Sequence, residues 1–182
     1  MFLSDEDILL YIKVKGKADY AFNHLIKKYQ EQIYWVIRRM VISHDDANDI
    51  TQDVFIKVWH NLPEFREQSK LFTWIYRIAI NETINFLNKK KKRMFIPMVN
   101  VERQLENKID DGNNFTGDEL NKKLQKSILK LPEKQRIVFN LRYYDEMPYE
   151  KMSEVLGTSV GALKASYHHA VAKIEKYIFH AD

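Results

Sequence analysis

The sequence predicts an all-α chain built from two small helical domains and a flexible linker, and three observations predict it. Glycine and proline are scarce, 5 and 4 among 182 residues, while Lys, Glu, Leu and Ile are frequent. Apolar residues recur at helical spacing through two long stretches. Between them lies an acidic segment in which no period persists. The expected division is residues 1–93, a linker at 94–117, and residues 118–182. Apolar residues make up 45% of the chain, enough for packed cores.

Composition also excludes chemistry. With no Cys, a disulfide framework, a Cys-based zinc site and thiol catalysis all fall away. The start, "MFLSDEDILL", has neither the basic stretch nor the apolar run of a signal peptide. No run reaches the length of a membrane span, so direct membrane insertion is not expected and the expected compartment is the cytoplasm. A net charge of +4 means little by itself; what matters is that the charge is unevenly placed.

Taken in order, the elements justify the class. Ser4 caps a first short helix whose opening turn holds Asp5, Glu6 and Asp7, where negative charge suits the helix dipole; Gly16 breaks it. A long helix follows from about Ala18 to Val41, with Phe22, Leu25, Ile26, Tyr29, Ile33 and Val36 at core spacing. Ser43 caps the next, which stops before Pro63. Its inner stripe is Ala47, Ile50, Val54 and Val58, and Asp46, Asp49 and Asp53 share a separate acidic stripe. After a loop, Ser69 is the expected cap of a helix running to Arg93. "MFIPMVNVERQLENKIDDGNNFTG" then reads as an extended linker with one weak turn of helix near Val101 to Ile109.

Periodicity returns at Asp118. "DELNKKLQKSILKL" is a helix ended by Pro132, and the next starts with that Pro at its first position. Pro148 opens a short helix with Tyr149, Met152 and Leu156 on one face. Gly157 breaks it, and Thr158 or Ser159 caps a last helix whose inner stripe is Leu163, Tyr167, Ala170 and Ile174. Two helices joined by a tight Gly-containing turn are the signature of a helix-turn-helix.

The helix "KLFTWIYRIAINETINFLNKKKKR" carries the first functional signal. At about 100° per residue, Lys70, Trp74, Arg77, Asn81, Asn85, Asn88 and Lys92 fall within a stripe about 80° wide. Phe72, Ile75, Ala79 and Phe86 lie on another side, facing a core. A π-face stacks on any unpaired base for about 1–3 kcal/mol, and cations follow the phosphates. Asn pairs with base edges once these are unstacked. The run Lys89 to Arg93 extends the cationic track and releases counterions on binding. The bland alternative is a solvated helix face with Trp74 in the core. The last helix carries the second signal. It turns Ala162, Ala165, Ser166, His169, Ala172 and Lys173 outward, small enough for close approach, while Lys164, His168 and Lys173 reach toward phosphates or base edges of a major groove. Its alternative is an ordinary helical hairpin. One surface suited to single strands and one to duplex together describe a protein that handles DNA as it opens.

These residues resemble a known family. "DDANDITQDVFIKVWHNLPEF" followed by "FTWIYRIAINETINFL" is similar to the second conserved region of bacterial RNA polymerase sigma factors. "LPEKQRIVFNLRYYDEMPYEKMSEVLGTSVGALKASYHHAVAKI" resembles their fourth region. With only those two regions present, the layout resembles the extracytoplasmic-function group of the sigma-70 family. The resemblance implies that Asp46, Asp49, Gln52, Asp53 and Phe55 dock on the clamp helices of the largest polymerase subunit. It implies that Phe65 through Trp74, with Tyr76, Arg77 and Asn81, open the promoter −10 element and hold a flipped base. Lys70, Asn85, Lys89 and Lys92 belong to the same surface. Arg136, Lys164, Ala165, Ser166, His168 and His169 correspond to the face on the −35 duplex. The implied partners are core RNA polymerase, promoter DNA and an inhibitory anti-sigma factor clamping both domains, and the linker resembles the segment that threads toward the RNA exit path.

Departures from the pattern are specific. Where the family commonly has Thr-Val-Lys/Arg-Ser-Arg and a further Arg, this chain has Ala162-Leu163-Lys164-Ala165-Ser166 and then His169. Fewer fixed cations face the duplex, and the His pair adds charge only as pH falls through the imidazole range. Glu67 stands where Gly is frequent, and Ile80 where Arg is frequent. No catalytic constellation, phosphate loop, cofactor, metal site or small-molecule substrate is expected, since His168 and His169 are adjacent and point about 100° apart. The rival readings are a stand-alone helix-turn-helix regulator of duplex DNA and a protein-binding adaptor.

Overall fold

The computed structural model describes residues 3–93 and 119–179; the expected linker, with its weak turn at Val101 to Ile109, lies outside the described residues. Helix α1 (Asp5–Ile12) starts where the Ser4 hydroxyl accepts from the Asp7 amide at 3.0 Å. Gly16, at φ 80°, makes the turn into α2 (Ala18–Val41). That helix ends on Ile42, a buried β-branched residue held in the left-handed region at φ 63°. The buried Arg38 guanidinium donates to the Ile42 carbonyl, and the Ile42 amide donates back to the Arg38 carbonyl at 2.9 Å. Ser43 then caps α3 (His44–Asn61), its hydroxyl accepting from the Asp46 amide.

Pro63 does not stop α3 cleanly: a 3₁₀ turn at Leu62–Glu64 tightens its end and brings in the loop that precedes α4 (Leu71–Arg93). The Lys70 carbonyl accepts from the Trp74 amide at 3.1 Å, so Lys70, one residue after the expected Ser69, takes the cap position. Beyond the linker come α5 (Glu119–Leu129), α6 (Glu133–Tyr143), α7 (Tyr149–Leu156) and α8 (Val160–Phe179). Pro132 and Pro148 are N-caps rather than first helical residues, and α5 ends at Leu129, short of Pro132. Gly157, left-handed at φ 62°, ends α7, and Ser159 rather than Thr158 caps α8, accepting from the Ala162 amide at 3.3 Å.

Helix α2 is the spine of the N-terminal half and packs on α1, α3 and α4. Leu25, Ile33, Ile37 and Met40 meet Val54, Val58, Ile75 and Ala79, all but free of solvent. Each such large aliphatic contributes about 1.5–3 kcal/mol by leaving water. The C-terminal half has a smaller centre of Ile128, Leu131, Phe139, Ala170 and Ile174. There the Phe139 ring lies near-parallel to Tyr143 at 5.1 Å and to Tyr167 at 5.7 Å. The two halves touch: α6 packs on α2 and α7 on α4, joining Val138, Leu141, Met147, Met152 and Val155 to the N-terminal core. Among the described residues no helix is long and apolar enough to cross a membrane.

Candidate nucleic-acid and polymerase interfaces

Helix α4 displays the stripe its periodicity requires. Lys70, Arg77, Asn81, Asn85, Asn88 and Lys89 are exposed and Trp74 is half-buried; the Lys92 side chain lies outside the described residues. Ile75 and Ala79 occupy the opposite, buried side, with Phe72 and Phe86 half-buried at its edges. Phe65, from the loop after the 3₁₀ turn, lies against Trp74 with ring centroids 5.0 Å apart. The two rings form the apolar wall of a recess of about 400 Å³, completed by the polar side chains of Asn61, Glu64, Arg66, Gln68, Ser69 and Arg77. An aromatic wall facing amide, hydroxyl and guanidinium groups can receive a flat heterocycle and hydrogen-bond its edge. The loop turns at Glu67, which is left-handed at φ 57° and reaches Lys13 at 3.5 Å in a solvent-exposed pair. A left-handed turn explains why glycine suits this position in the resembling family.

One expectation for this surface needs correction. Tyr76 is only 3% exposed, because α7 packs over that side of α4, and its phenol cannot reach DNA in this arrangement. Arg77, though exposed, donates to the Glu154 carbonyl of α7 at 2.6 Å.

The second surface lies between α2 and α3. Asp49, Gln52 and Asp53 are exposed, whereas Asp46 is half-buried and paired with Lys90 at 2.7 Å. Phe55 is mostly buried but lines an open groove of about 710 Å³ with Phe22, Ile26, Ile56 and Trp59. Phe22 and Ile26 were expected in the core; they are half-buried and face this groove, with Phe22 4.8 Å from the Trp59 ring. The signal was available. Phe22 and Ile26 each sit one position after Ala21 and Leu25, widening the apolar stripe of α2 beyond what one packed face needs. Ile56, half-exposed on a helix with acidic neighbours, was the other sign.

The third surface is α8. Lys164, Ala165, His168 and His169 are exposed and Ser166 is half-buried, along one side of the second helix of the helix-turn-helix. Lys164 lies over the Tyr149 ring at 5.7 Å, and Lys173 donates to Gln135 at 3.0 Å. Arg136 departs from expectation: it is 5% exposed, held inside the domain with its guanidinium toward the Leu129 carbonyl, so it supports α6 instead of facing duplex.

The fold and its faces define a helical DNA-handling protein with a base-sized recess on one half and a helix-turn-helix on the other. Comparison with known proteins identifies the family. Residues 25–93 match sigma-70 region 2 and residues 121–174 match sigma-70 region 4. The chain is 33% identical to the ECF RNA polymerase sigma factor SigW of Bacillus subtilis, over 90% of this chain and 91% of that one. It is 29% identical to the ECF RNA polymerase sigma-E factor of Escherichia coli, over 94% of each. The solved structure of CnrH in complex with the cytosolic domain of CnrY has the same fold, with a TM-score of 0.69 at 22% identity over 98% of this chain and 99% of that one. The chain therefore belongs to the extracytoplasmic-function group of the sigma-70 family, factors that direct promoter-specific transcription initiation by RNA polymerase.

Proposed function

We propose that residues 1–93 form the half that docks on polymerase and opens the −10 element, that 94–117 connect the halves, and that 118–182 read the −35 element. Core polymerase would seat on Asp46, Asp49, Gln52, Asp53 and Phe55 of α3, with Phe22, Ile26, Ile56 and Trp59 added by the lining of the α2–α3 groove. Phe65 and Trp74 would stack a base extruded from the non-template strand while Arg77 and the recess's polar groups hold its edge. Lys70, Asn81, Asn85, Lys89 and Lys92 would follow the melted strand. Lys164, Ala165, Ser166, His168 and His169 would lie in the major groove of the duplex.

The observation that carries this reading is the recess walled by Phe65 and Trp74. A duplex-only regulator has no use for a base-sized pocket beside a helix-turn-helix. The chain does no chemistry of its own in this reading and works in the cytoplasm with the polymerase. An anti-sigma partner is proposed as well. The sigma factor RpoE, whose complex with the anti-sigma factor NepR from Bartonella quintana is known, shares this fold, with a TM-score of 0.65 at 18% identity over 86% of this chain and 96% of that one. The test is transcription from a genomic promoter pool with core polymerase. Trp74→Ala should abolish open-complex formation while leaving −35 duplex affinity unchanged; open complexes at the wild-type level would remove Trp74 from the −10 site.

A further inference from the structure

Tyr149 sits beside the duplex-reading face but belongs to none of its assigned contacts. It is the first residue of α7, half-buried, and three helices meet at its ring. The Arg142 guanidinium of α6 lies over that ring at 5.1 Å from the centroid, and the Lys164 ammonium of α8 at 5.7 Å. Tyr167, also of α8, meets it edge-on with centroids 6.4 Å apart. Arg142 is itself fixed. It donates to the Met147 carbonyl at 3.2 Å, beside a turn that Glu146 makes in the left-handed region at φ 49°. Neither cation is paired with a carboxylate among the described residues. Among Lys164, Ala165, Ser166, His168 and His169, the residues assigned to the duplex on α8, Lys164 carries the fixed charge.

We propose that Tyr149 is a positioning residue for base readout, its ring holding the Lys164 ammonium at one place toward the major groove. The inference deepens the −35 assignment above and rests on it. A lysine ammonium is a point charge on a flexible stem, free to drop onto the nearest phosphate, where it carries no sequence information. An arginine fork needs no such help, because its planar donors are already arranged for the guanine edge. With Ser166 and His169 standing where the family commonly has Arg, discrimination falls to Lys164. A cation drawn to a ring face is restrained in direction as well as distance. Lys164 also lies in the first turns of α8, the part of a recognition helix that meets base edges. The feature it reads is accordingly a pair of adjacent major-groove acceptors, the N7 and O6 of guanine. Arg142 and Tyr167 act through Tyr149 by keeping its ring from swinging aside.

The test is fluorescence anisotropy of the full chain on a −35 duplex taken from the promoter pool, with each base pair replaced in turn. Lys164→Gln should lose discrimination at a G·C pair. Tyr149→Leu, which keeps apolar bulk against Tyr167, should lower discrimination at that same pair by roughly two- to fivefold, the worth of an exposed cation–π contact. It should leave affinity for random duplex and its salt dependence unchanged, because the ammonium keeps its charge and the domain its fold. Tyr149→Phe retains the ring face and should match the wild type. In the Lys164→Gln background, Tyr149→Leu should add no further loss. A uniform fall on every duplex makes Tyr149 a structural residue and overturns the proposal, as does a Tyr149→Phe that loses as much as Tyr149→Leu. If Lys164→Gln relaxes readout and Tyr149→Leu does not, the positioning is wrong and the −35 assignment of Lys164 stands. If Lys164→Gln is silent, that assignment has failed and the positioning falls with it.

Discussion

Trp74 and Glu67 illustrate how single residues divide between work and cost. Trp74 is half-buried because Phe65 leans on it, leaving part of its ring toward the recess. Its truncation should cost about 1–3 kcal/mol of single-strand affinity, the worth of one stacked base, measured by titration against a −10 oligonucleotide. Glu67 bears the left-handed turn of the same loop without glycine's freedom. Such a residue is strained by about 1–2 kcal/mol, part of which Gly gives back through its larger unfolded entropy. Glu67→Gly should therefore raise stability by about 1 kcal/mol or less. Thermal melting will show this, and Lys13 loses only an exposed partner, worth little.

At the scale of elements, the α2–α3 pair matters most. Phe22, Ile26, Phe55, Ile56 and Trp59 form an apolar groove rimmed by polar side chains, Asp19, Asn48 and Gln52 among them, the arrangement that receives a partner helix. Ile56 is 48% exposed and contributes little to the core. Ile56→Glu should keep the melting temperature close to wild type yet weaken association with core polymerase at least tenfold, the order of a loss of about 1.4 kcal/mol at one well-packed contact. Gel filtration of the mixture checks it. Helix α8 shows the opposite economy. Its small outward residues and few fixed cations leave Lys164 as the fixed charge among the residues assigned to the duplex, so its affinity should fall less steeply with salt than in relatives with more arginine there.

For the whole molecule, the seam between the halves couples folding to protonation. Burial pushes the Asp145 carboxyl above the ordinary carboxylate range, and the pull of Arg39 opposes this without cancelling it. Tyr76 from α4 and Arg39 from α2 are the groups that face it. A raised carboxyl binds its proton more tightly in the folded chain than in the unfolded one. Its contribution to stability is thus fully present below the unfolded pKa and is lost as pH rises through the folded one. The melting temperature should fall over that window, and Asp145→Asn should flatten the profile. Lys151, lowered chiefly by burial and then by Lys70, carries the opposite sign in the alkaline range, where losing its proton favours the folded chain.

Helix periodicity, caps at Ser4 and Ser43, the Gly157 break and the α4 stripe were all legible in sequence, because each depends on residues within a few turns of one another. The family was legible for the same reason, since its motifs are local strings in fixed order. What the chain's order did not reveal is which apolar face is covered and by what. Tyr76 and Arg136 are polar-tipped residues on surfaces that another helix closes, and Phe22 and Ile26 are apolar residues on a surface that none of the described helices does. The Arg77–Glu154 and Arg39–Asp145 contacts join residues 77 and 106 positions apart, and only packing brings such groups together.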